Sequence, residues 1–448
     1  MRDLSRIIKA YDVRGVVPDE FDAEIARAIG GAFARVAQAP SIVISHDMRP
    51  SSPELSHAFA EGVMAQGVNV VIAGLGSTDM LYFASGSLDM PGAMFTASHN
   101  PAKYNGIKMC YAGAAPVGQD TGLTQIREMA QSGVPAHDGP AGTLTERDVL
   151  AEYAVYLNKL VPLGGSRPLK VVVDAGNGMG GYTVPVVLKG LPFDIDEMYF
   201  ELDGNFPNHE ANPLDPKNIV DLQARVRAVG ADIGLAFDGD ADRVFVVDEN
   251  GDAVTPSAIT ALVAVRELAK APGASIIHNL ITSKAVPEII REHGGVPIRS
   301  RVGHSFIKAE MAKTGAVFGG EHSAHYYFKD FWKADTGMLA AMHVLAALGE
   351  QDRPLSALTA AYSRYCASGE INSTVDDAQA KMKEIESVYA DKQLDHLDGL
   401  TVDAGEWWFN VRASNTEPLL RLNVEGPDTA TMQRVRDEVL ALIRGTHS

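Results

Sequence analysis

The run Asp238-Gly239-Asp240-Ala241-Asp242-Arg243 sets three carboxylates at alternate positions, directly after the apolar stretch Ile233 to Phe237. Like charges held this close repel strongly, and a divalent cation between them removes the repulsion. Carboxylate oxygens suit a hard ion such as Mg²⁺, and the end of an α/β strand is where ligands gather in such folds. An acidic surface turn is the alternative reading, since Asp and Gly both favour turns.

A second candidate is Thr96-Ala97-Ser98-His99-Asn100-Pro101, followed by Tyr104-Asn105-Gly106-Ile107-Lys108. A serine at a strand's end, in a turn forced by Asn-Pro, is exposed and rigidly held, as a nucleophile or phosphoryl carrier has to be. Lys108 supplies a cation and His99 a proton-transfer group or donor, and the Gly-x-Ser-x-Gly elbow of hydrolases is absent. An ordinary Ser/Asn turn would use the same residues. The third candidate, Arg412-Ala413-Ser414-Asn415-Thr416-Glu417-Pro418, joins a guanidinium fork to three short donors, which fits a phosphate nest and equally a helix cap. Gly319-Gly320-Glu321-His322-Ser323-Ala324-His325 mixes carboxylate, hydroxyl and imidazole, a set that suits the hydroxyls of a sugar. Arg301-Val302-Gly303-His304-Ser305 adds basic residues upstream, although a lone histidine is more often structural.

These residues need rigid elements to hold them. The patterns predict strands at Ser41 to Ser45, Val68 to Gly74, Gly92 to Thr96, Leu169 to Asp174, Ile233 to Phe237 and Ala274 to Ile277. Helical patterns lie between them, one opening at Ser51-Ser52-Pro53-Glu54 and another running from Lys217 to Val229. After about residue 366 the character changes to strands near Glu370 to Val375 and Gly405 to Val411, then a terminal helix from Thr429 to Ile443. The expected fold is therefore α/β: three α/β modules in series plus a smaller C-terminal α+β domain. The expected boundaries are 1–143 with the serine loop, 144–250 with the aspartate loop, 251–366 with the sugar loop and 367–448 with the arginine loop.

With 448 residues the chain has length for several domains, so a site between domains is expected. Its 39 basic and 57 acidic residues give a net charge of −18, which argues against a nucleic-acid partner and requires any phosphate site to be built locally. Two cysteines, Cys110 and Cys366, are too few for a disulfide framework. The chain shows no signal-peptide pattern, and no run approaches the ~18 apolar residues of a membrane span. A cytoplasmic location with no membrane partner is expected. Gly176-Asn177-Gly178-Met179-Gly180-Gly181 satisfies the dinucleotide pattern after a strand, but Asp174 would repel a pyrophosphate there.

In this order the motifs resemble those of the α-D-phosphohexomutase superfamily, most closely its bacterial phosphomannomutase/phosphoglucomutase group. Lys9-Ala10-Tyr11-Asp12-Val13-Arg14-Gly15 and Gly303-His304-Ser305 extend the likeness over nearly the whole chain. The resemblance implies four domains around a central cleft, each giving one loop. It implies Ser98 as the phosphoserine, and Mg²⁺ held by Asp238, Asp240, Asp242 and a phospho-Ser98 oxygen. Glu321, Ser323 and His325 would bind the sugar, with Tyr11 near it, and Arg412, Ser414, Asn415 and Thr416 the distal phosphate. Arg14, His99, Lys108, Arg243 and His304 would stabilise charge or move protons. The implied reaction moves a phosphoryl group between O6 and O1 of mannose and glucose phosphates, with a hexose 1,6-bisphosphate as intermediate and activator and a monomer sufficing. Phosphoglucosamine mutase is the near alternative. A Mg²⁺-dependent aspartyl phosphatase using Asp238 and a non-catalytic phosphosugar-binding protein are the alternatives of another class.

Overall fold

The computed structural model describes residues 3–9, 11–413 and 419–445, and of His304 and Ser305 only the backbone. Four sheets follow one another along the chain. In the first, Ser41–His46 runs parallel to Asn69–Leu75 and to Gly92–Phe95, and Gly92–Phe95 turns back into the antiparallel Tyr104–Tyr111. The second repeats this plan. Leu169–Asp174 is parallel to Phe193–Met198 and Ile233–Phe237, and the latter turns back into Val244–Asp248. The third does so again, with Ser275–Asn279 parallel to Val296–Ser300 and Phe318–Gly320, which turns back into Tyr326–Phe328. Helices cover these strands; Ile233–Phe237 and Val244–Asp248 are buried at every residue, as strands covered on both faces must be.

The three hairpin turns are the serine, aspartate and sugar loops. One topological position, repeated three times, thus delivers the three candidate clusters, although no repeat is legible in the sequence. The fourth sheet is wholly antiparallel, in the order Cys366–Thr374, Leu419–Gly426, Trp408–Ala413, Leu400–Asp403, Gln393–Asp395. Residues 414–418, which follow Trp408–Ala413 in sequence, lie outside the described residues.

Two sheets draw a strand from beyond the boundary read in the sequence. Leu144–Glu146 pairs with Asn69–Leu75 in the first sheet, and Ala253–Val254 pairs with Val244–Asp248 in the second. Both are short edge strands carried on linkers, too brief to show a pattern of their own.

Packing separates the fourth module from the rest. One apolar cluster runs through the first three, joining Leu81 and Phe83 to Val172, Leu235, Phe318 and Leu345. The fourth keeps a core of its own around Val402, Phe409, Leu422 and Val435. Polar contacts tie it on: Lys284 Nζ to Asp403 Oδ1 at 2.9 Å, Arg299 Nη1 to Asp395 Oδ2 at 2.7 Å, and Lys284 N to Glu425 Oε1 at 2.9 Å. Interfaces of this polar kind permit relative motion of domains.

Asp79 stands where the first three modules meet. Its buried carboxylate accepts hydrogen bonds from Ser77 Oγ, from Tyr153 OH at 2.6 Å and from Thr336 Oγ1 at 2.6 Å. Burial outweighs these three donors and pushes its pKa up to about 6. A carboxyl with a raised folded-state pKa stabilises the fold fully below its unfolded pKa and loses that contribution as pH rises through the folded value. The loss is on the order of 3 kcal/mol. Asp79→Asn removes this titration, so the stability of the wild type minus that of the variant should fall between pH 4 and pH 6 and stay flat above. Thermal or urea unfolding across that range checks it; a difference independent of pH would contradict the assignment.

Candidate active site

The serine loop and the aspartate loop meet. Ser98 Oγ donates to Asp238 Oδ2 at 3.1 Å, across 140 positions of sequence. The loops touch along their backbones too: a Cβ at Gly239 would lie 2.4 Å from the Ser98 carbonyl oxygen, which is why the residue between Asp238 and Asp240 has no side chain. Ser98 has φ +50°, a region that non-glycine residues seldom adopt, so other contacts must hold it. The sequence reading expected an exposed serine. It is instead only 5% exposed, because the aspartate loop closes over it.

Arg49 is the residue that fixes this turn. It is fully buried, and its guanidinium donates to four carbonyl oxygens of the loop: Ser98 at 2.9 Å, Asn100 at 2.7 Å, Pro101 at 3.0 Å and Tyr104 at 2.9 Å. Asp47 balances the charge, 3.2 Å from Arg49 Nε, and burial pushes the Asp47 pKa up despite that partner. Sequence reasoning missed this pair. Its signal was available, since Asp47 and Arg49 follow the end of Ser41–His46, the strand beside the serine-bearing one.

The three aspartates are wholly buried and offer oxygens within 4.8 Å of one another. Lys108 Nζ bridges Asp240 Oδ2 at 2.7 Å and Asp242 Oδ2 at 2.5 Å. Arg243 Nε donates to Asp238 Oδ2 at 2.9 Å, and Thr78 Oγ1, a residue with no sequence signal, to Asp240 Oδ2 at 2.5 Å. Two cations against three carboxylates leave a deficit. Burial, together with the charges of Asp242 and Asp240 and against that of Arg243, pushes the Asp238 pKa up to about 7. Burial works the same way on Asp240, but Lys108 outweighs it and holds that pKa low. Asp240 Oδ1 and Asp242 Oδ1 are buried with no hydrogen-bond partner. Orphaned anionic oxygens at such a spot fit a metal ion. Asp238 Oδ2 is engaged by both Ser98 and Arg243, which disfavours its use as the nucleophile of an aspartyl phosphatase.

Around this centre, Arg243 Nη2 lies 2.5 Å from His99 Nδ1, and Ser98 Oγ lies 3.1 Å from the same nitrogen. Burial, then the charges of Arg243 and Arg14, hold the His99 pKa well below its ordinary value, so the ring is neutral and its Nδ1 accepts. Arg14 donates to Asn100 Oδ1 at 2.5 Å and Asp12 Oδ2 at 2.6 Å. The sugar loop reaches the aspartates through a backbone bridge between Arg243 and His325. His325 Nδ1 is 3.0 Å from Asp335 Oδ2 and 3.9 Å from Asp242 Oδ1. Burial opposes protonation of His325, but those two carboxylates outweigh it and raise the pKa.

Glu321 is buried, accepting from Tyr327 OH at 2.6 Å, Gly303 N at 3.2 Å and Asn279 Nδ2 at 3.3 Å. Ser323 is half-buried on the same turn. Tyr11 is half-buried and close enough to Glu321 and Arg412, residues of the third and fourth modules, to feel their charges, while burial raises its pKa. Arg412 Nη2 donates to Glu370 Oε2 at 2.6 Å, a carboxylate shared with Arg421. Ser414, Asn415 and Thr416 lie outside the described residues, as does the side chain of His304, whose backbone opens the helix His304–Thr314. The glycine run after Asp174 cradles nothing: a Cβ at Gly178 would sit 2.7 Å from the Gly239 carbonyl oxygen, which already accepts from Met179 N at 2.9 Å.

Models of the phosphoglucomutase/phosphomannomutase family match the chain in four parts. They are α/β/α domain I over residues 5–134, domain II over 151–251, domain III over 255–365 and the C-terminal domain over 370–442. The chain belongs to this family. It is 40% identical over 442 residues to a Xanthomonas campestris protein named for phosphohexose mutases, covering 98% of this chain and 99% of that one. A phosphomannomutase of Escherichia coli is 39% identical, covering 97% and 98%. A solved structure of a phosphoglucomutase/phosphomannomutase family protein from Burkholderia thailandensis superposes with a TM-score of 0.90 at 33% identity, covering 99% of this chain and 98% of that one. An Aspergillus fumigatus N-acetylphosphoglucosamine mutase in complex with GlcNAc-6P and magnesium shares the fold at 12% identity and TM-score 0.64, covering the full length of both chains. This chain is thus a phosphohexose mutase, an isomerase with an acidic cluster able to hold a metal ion.

Two outcomes follow from the geometry. Arg49→Met leaves Asp47 buried without its counter-charge and should cost about 3–5 kcal/mol in urea unfolding, much of it recovered in the Asp47→Asn/Arg49→Met double variant. Equal losses in both would mean the pair is not coupled. Asp240→Asn should weaken Mg²⁺ binding at least ~10-fold in calorimetric titration; unchanged affinity would move the metal elsewhere.

Proposed function

We propose that this phosphohexose mutase interconverts mannose 6-phosphate and mannose 1-phosphate, and the corresponding glucose phosphates, through a phosphorylated Ser98 and a hexose 1,6-bisphosphate. The observation that carries the reading is the 3.1 Å approach of Ser98 Oγ to Asp238 beside two unpartnered carboxylate oxygens. Asp238, Asp240 and Asp242, with an oxygen of phospho-Ser98, would hold Mg²⁺, whose chemistry is to neutralise charge on the transferring phosphoryl group. In the first half-reaction the bond from Ser98 Oγ to phosphorus breaks as a bond from O1 of the hexose 6-phosphate to phosphorus forms. The O1 proton passes to His325, whose basicity Asp242 and Asp335 raise against burial. After the bisphosphate turns over in the cleft, the O6–phosphorus bond breaks as the bond to Ser98 Oγ re-forms, and His325 returns its proton to O6.

The chain's own groups supply positioning and charge, which is most of what phosphoryl transfer needs. Lys108, Arg243 and Arg14 face the phosphoryl group, His99 orients beside Ser98, and His304 assists. Glu321, Ser323 and Tyr11 hold sugar hydroxyls. Arg412, Ser414, Asn415 and Thr416 anchor whichever phosphate is not reacting, and the separately cored fourth module lets that anchor open and close. Division into four domains at 1–143, 144–250, 251–366 and 367–448 belongs to the same reading, supported by the four sheets, with the edge strands Leu144–Glu146 and Ala253–Val254 reaching across two of those bounds. So do a monomeric state and a cytoplasmic location, the latter supported by two free cysteines; among the described residues no helix is long and apolar enough to cross a membrane.

Phosphorus NMR with mannose 1-phosphate or glucose 1-phosphate and a trace of glucose 1,6-bisphosphate should show the 6-phosphates forming. Ser98→Ala should lower kcat at least ~10³-fold with substrate still bound. Interconversion at the wild-type rate by the alanine variant would end the phosphoserine reading, and exclusive turnover of glucosamine phosphates would replace the sugar assignment.

A further inference from the structure

Behind His325 lies a charged chain that none of the cleft motifs includes. Asp335, on the short strand Ala334–Asp335, is 2% exposed. One of its oxygens lies 3.0 Å from His325 Nδ1, and the other lies 2.9 Å from Lys308 Nζ. Lys308 is 4% exposed, and its ammonium sits 4.0 Å over the Tyr82 ring. The imidazole is also steadied by Tyr327, whose ring lies 6.3 Å away at an interplanar angle of 26°. His325 Nε2 has no hydrogen-bond partner among the described residues.

A carboxylate only accepts hydrogen bonds, and an ammonium only donates. The Lys308 ammonium, which only donates, faces one oxygen of Asp335, and the other oxygen is left to accept from His325 Nδ1–H. We infer that Asp335 is a positioning residue that fixes the proton of His325 on Nδ1 and thereby turns a lone pair on Nε2 towards the cleft. Lys308 completes the device from the far side. The inference rests on the proposed use of His325 in phosphoryl transfer, and it deepens that use by naming the atom through which His325 acts.

Asparagine at position 335 tests this in a specific way. Lys308 can bond only to the amide oxygen, which leaves the amide N–H₂ facing His325 Nδ1 and forces the opposite tautomer. A comparable tautomer reversal in a catalytic triad costs orders of magnitude in rate while geometry survives.

The experiment uses the full chain labelled with ¹⁵N-histidine, in saturating Mg²⁺ at pH 9, with His325→Gln to assign the signal. Long-range ¹H–¹⁵N spectra should show wild-type His325 protonated on Nδ1 and the ring of Asp335→Asn protonated on Nε2. In turnover of glucose 1-phosphate, measured below the thermal midpoint that loss of the Lys308 counter-charge lowers, Asp335→Asn should lose about 10²-fold or more in kcat with KM within about twofold. Wild-type His325 protonated on Nε2 would overturn the inference without any variant. So would an Asp335→Asn enzyme whose kcat stays within about threefold of wild type. A wild-type chain with the proton on Nδ1 but no hexose phosphate interconversion would leave the positioning intact and remove the mutase reading instead.

Discussion

Three carboxylates buried within 4.8 Å of one another are the constraint on which the rest of this molecule depends. Water cannot screen them, and the cations nearest to them are Lys108 and Arg243, which together supply two charges for three. Lys108 comes from the first module, whereas the aspartates come from the second. Charge compensation therefore works across a module boundary, and it is one reason the two cannot drift apart. The remaining deficit makes the spot able to hold a cation, and under the proposed function it is the reason a phosphorylated Ser98 would call for a divalent ion beside it.

The architecture serves that constraint. A common apolar core welds the first three modules, so the loops on their hairpin turns converge with fixed geometry. Buried polar anchors refine the fit: Arg49 gathers the serine loop by its carbonyl oxygens, and Asp79 ties three modules through three hydroxyls. The fourth module has its own core and is attached by polar contacts and ion pairs, an interface that permits motion relative to the other three. The apolar interfaces of the first three modules and the polar interface of the fourth thus separate a rigid part of the molecule from one free to move.

Much of this was legible in the residues. The strands at Ser41, Gly92, Leu169 and Ile233 begin where the β-branched runs place them, and the apolar run into Asp238 announced a buried, not a solvated, acidic turn. What escaped had physical reasons. Arg49 and Thr78 act on partners about 50 and 160 positions distant, and no local spacing encodes such contacts. Asp335 and Lys308 sit in ordinary-looking sequence and acquire meaning only when strand and helix bring them together behind His325. The edge strands at Leu144 and Ala253 are too short to carry a period, so their sheets end later than the pattern suggested. Ser98 looked exposed because a turn normally is; a second loop covering it cannot be read from one.

The central claim is that the hydroxyl of Ser98 and the aspartates of a different module serve one cation. Phosphorus electron–nuclear double resonance on the Ser98-phosphorylated chain loaded with one Mn²⁺ tests it directly. The account expects a phosphorus hyperfine coupling of directly ligated strength that vanishes on dephosphorylation. Stoichiometric Mn²⁺ with phosphate on Ser98 and no such coupling would contradict it.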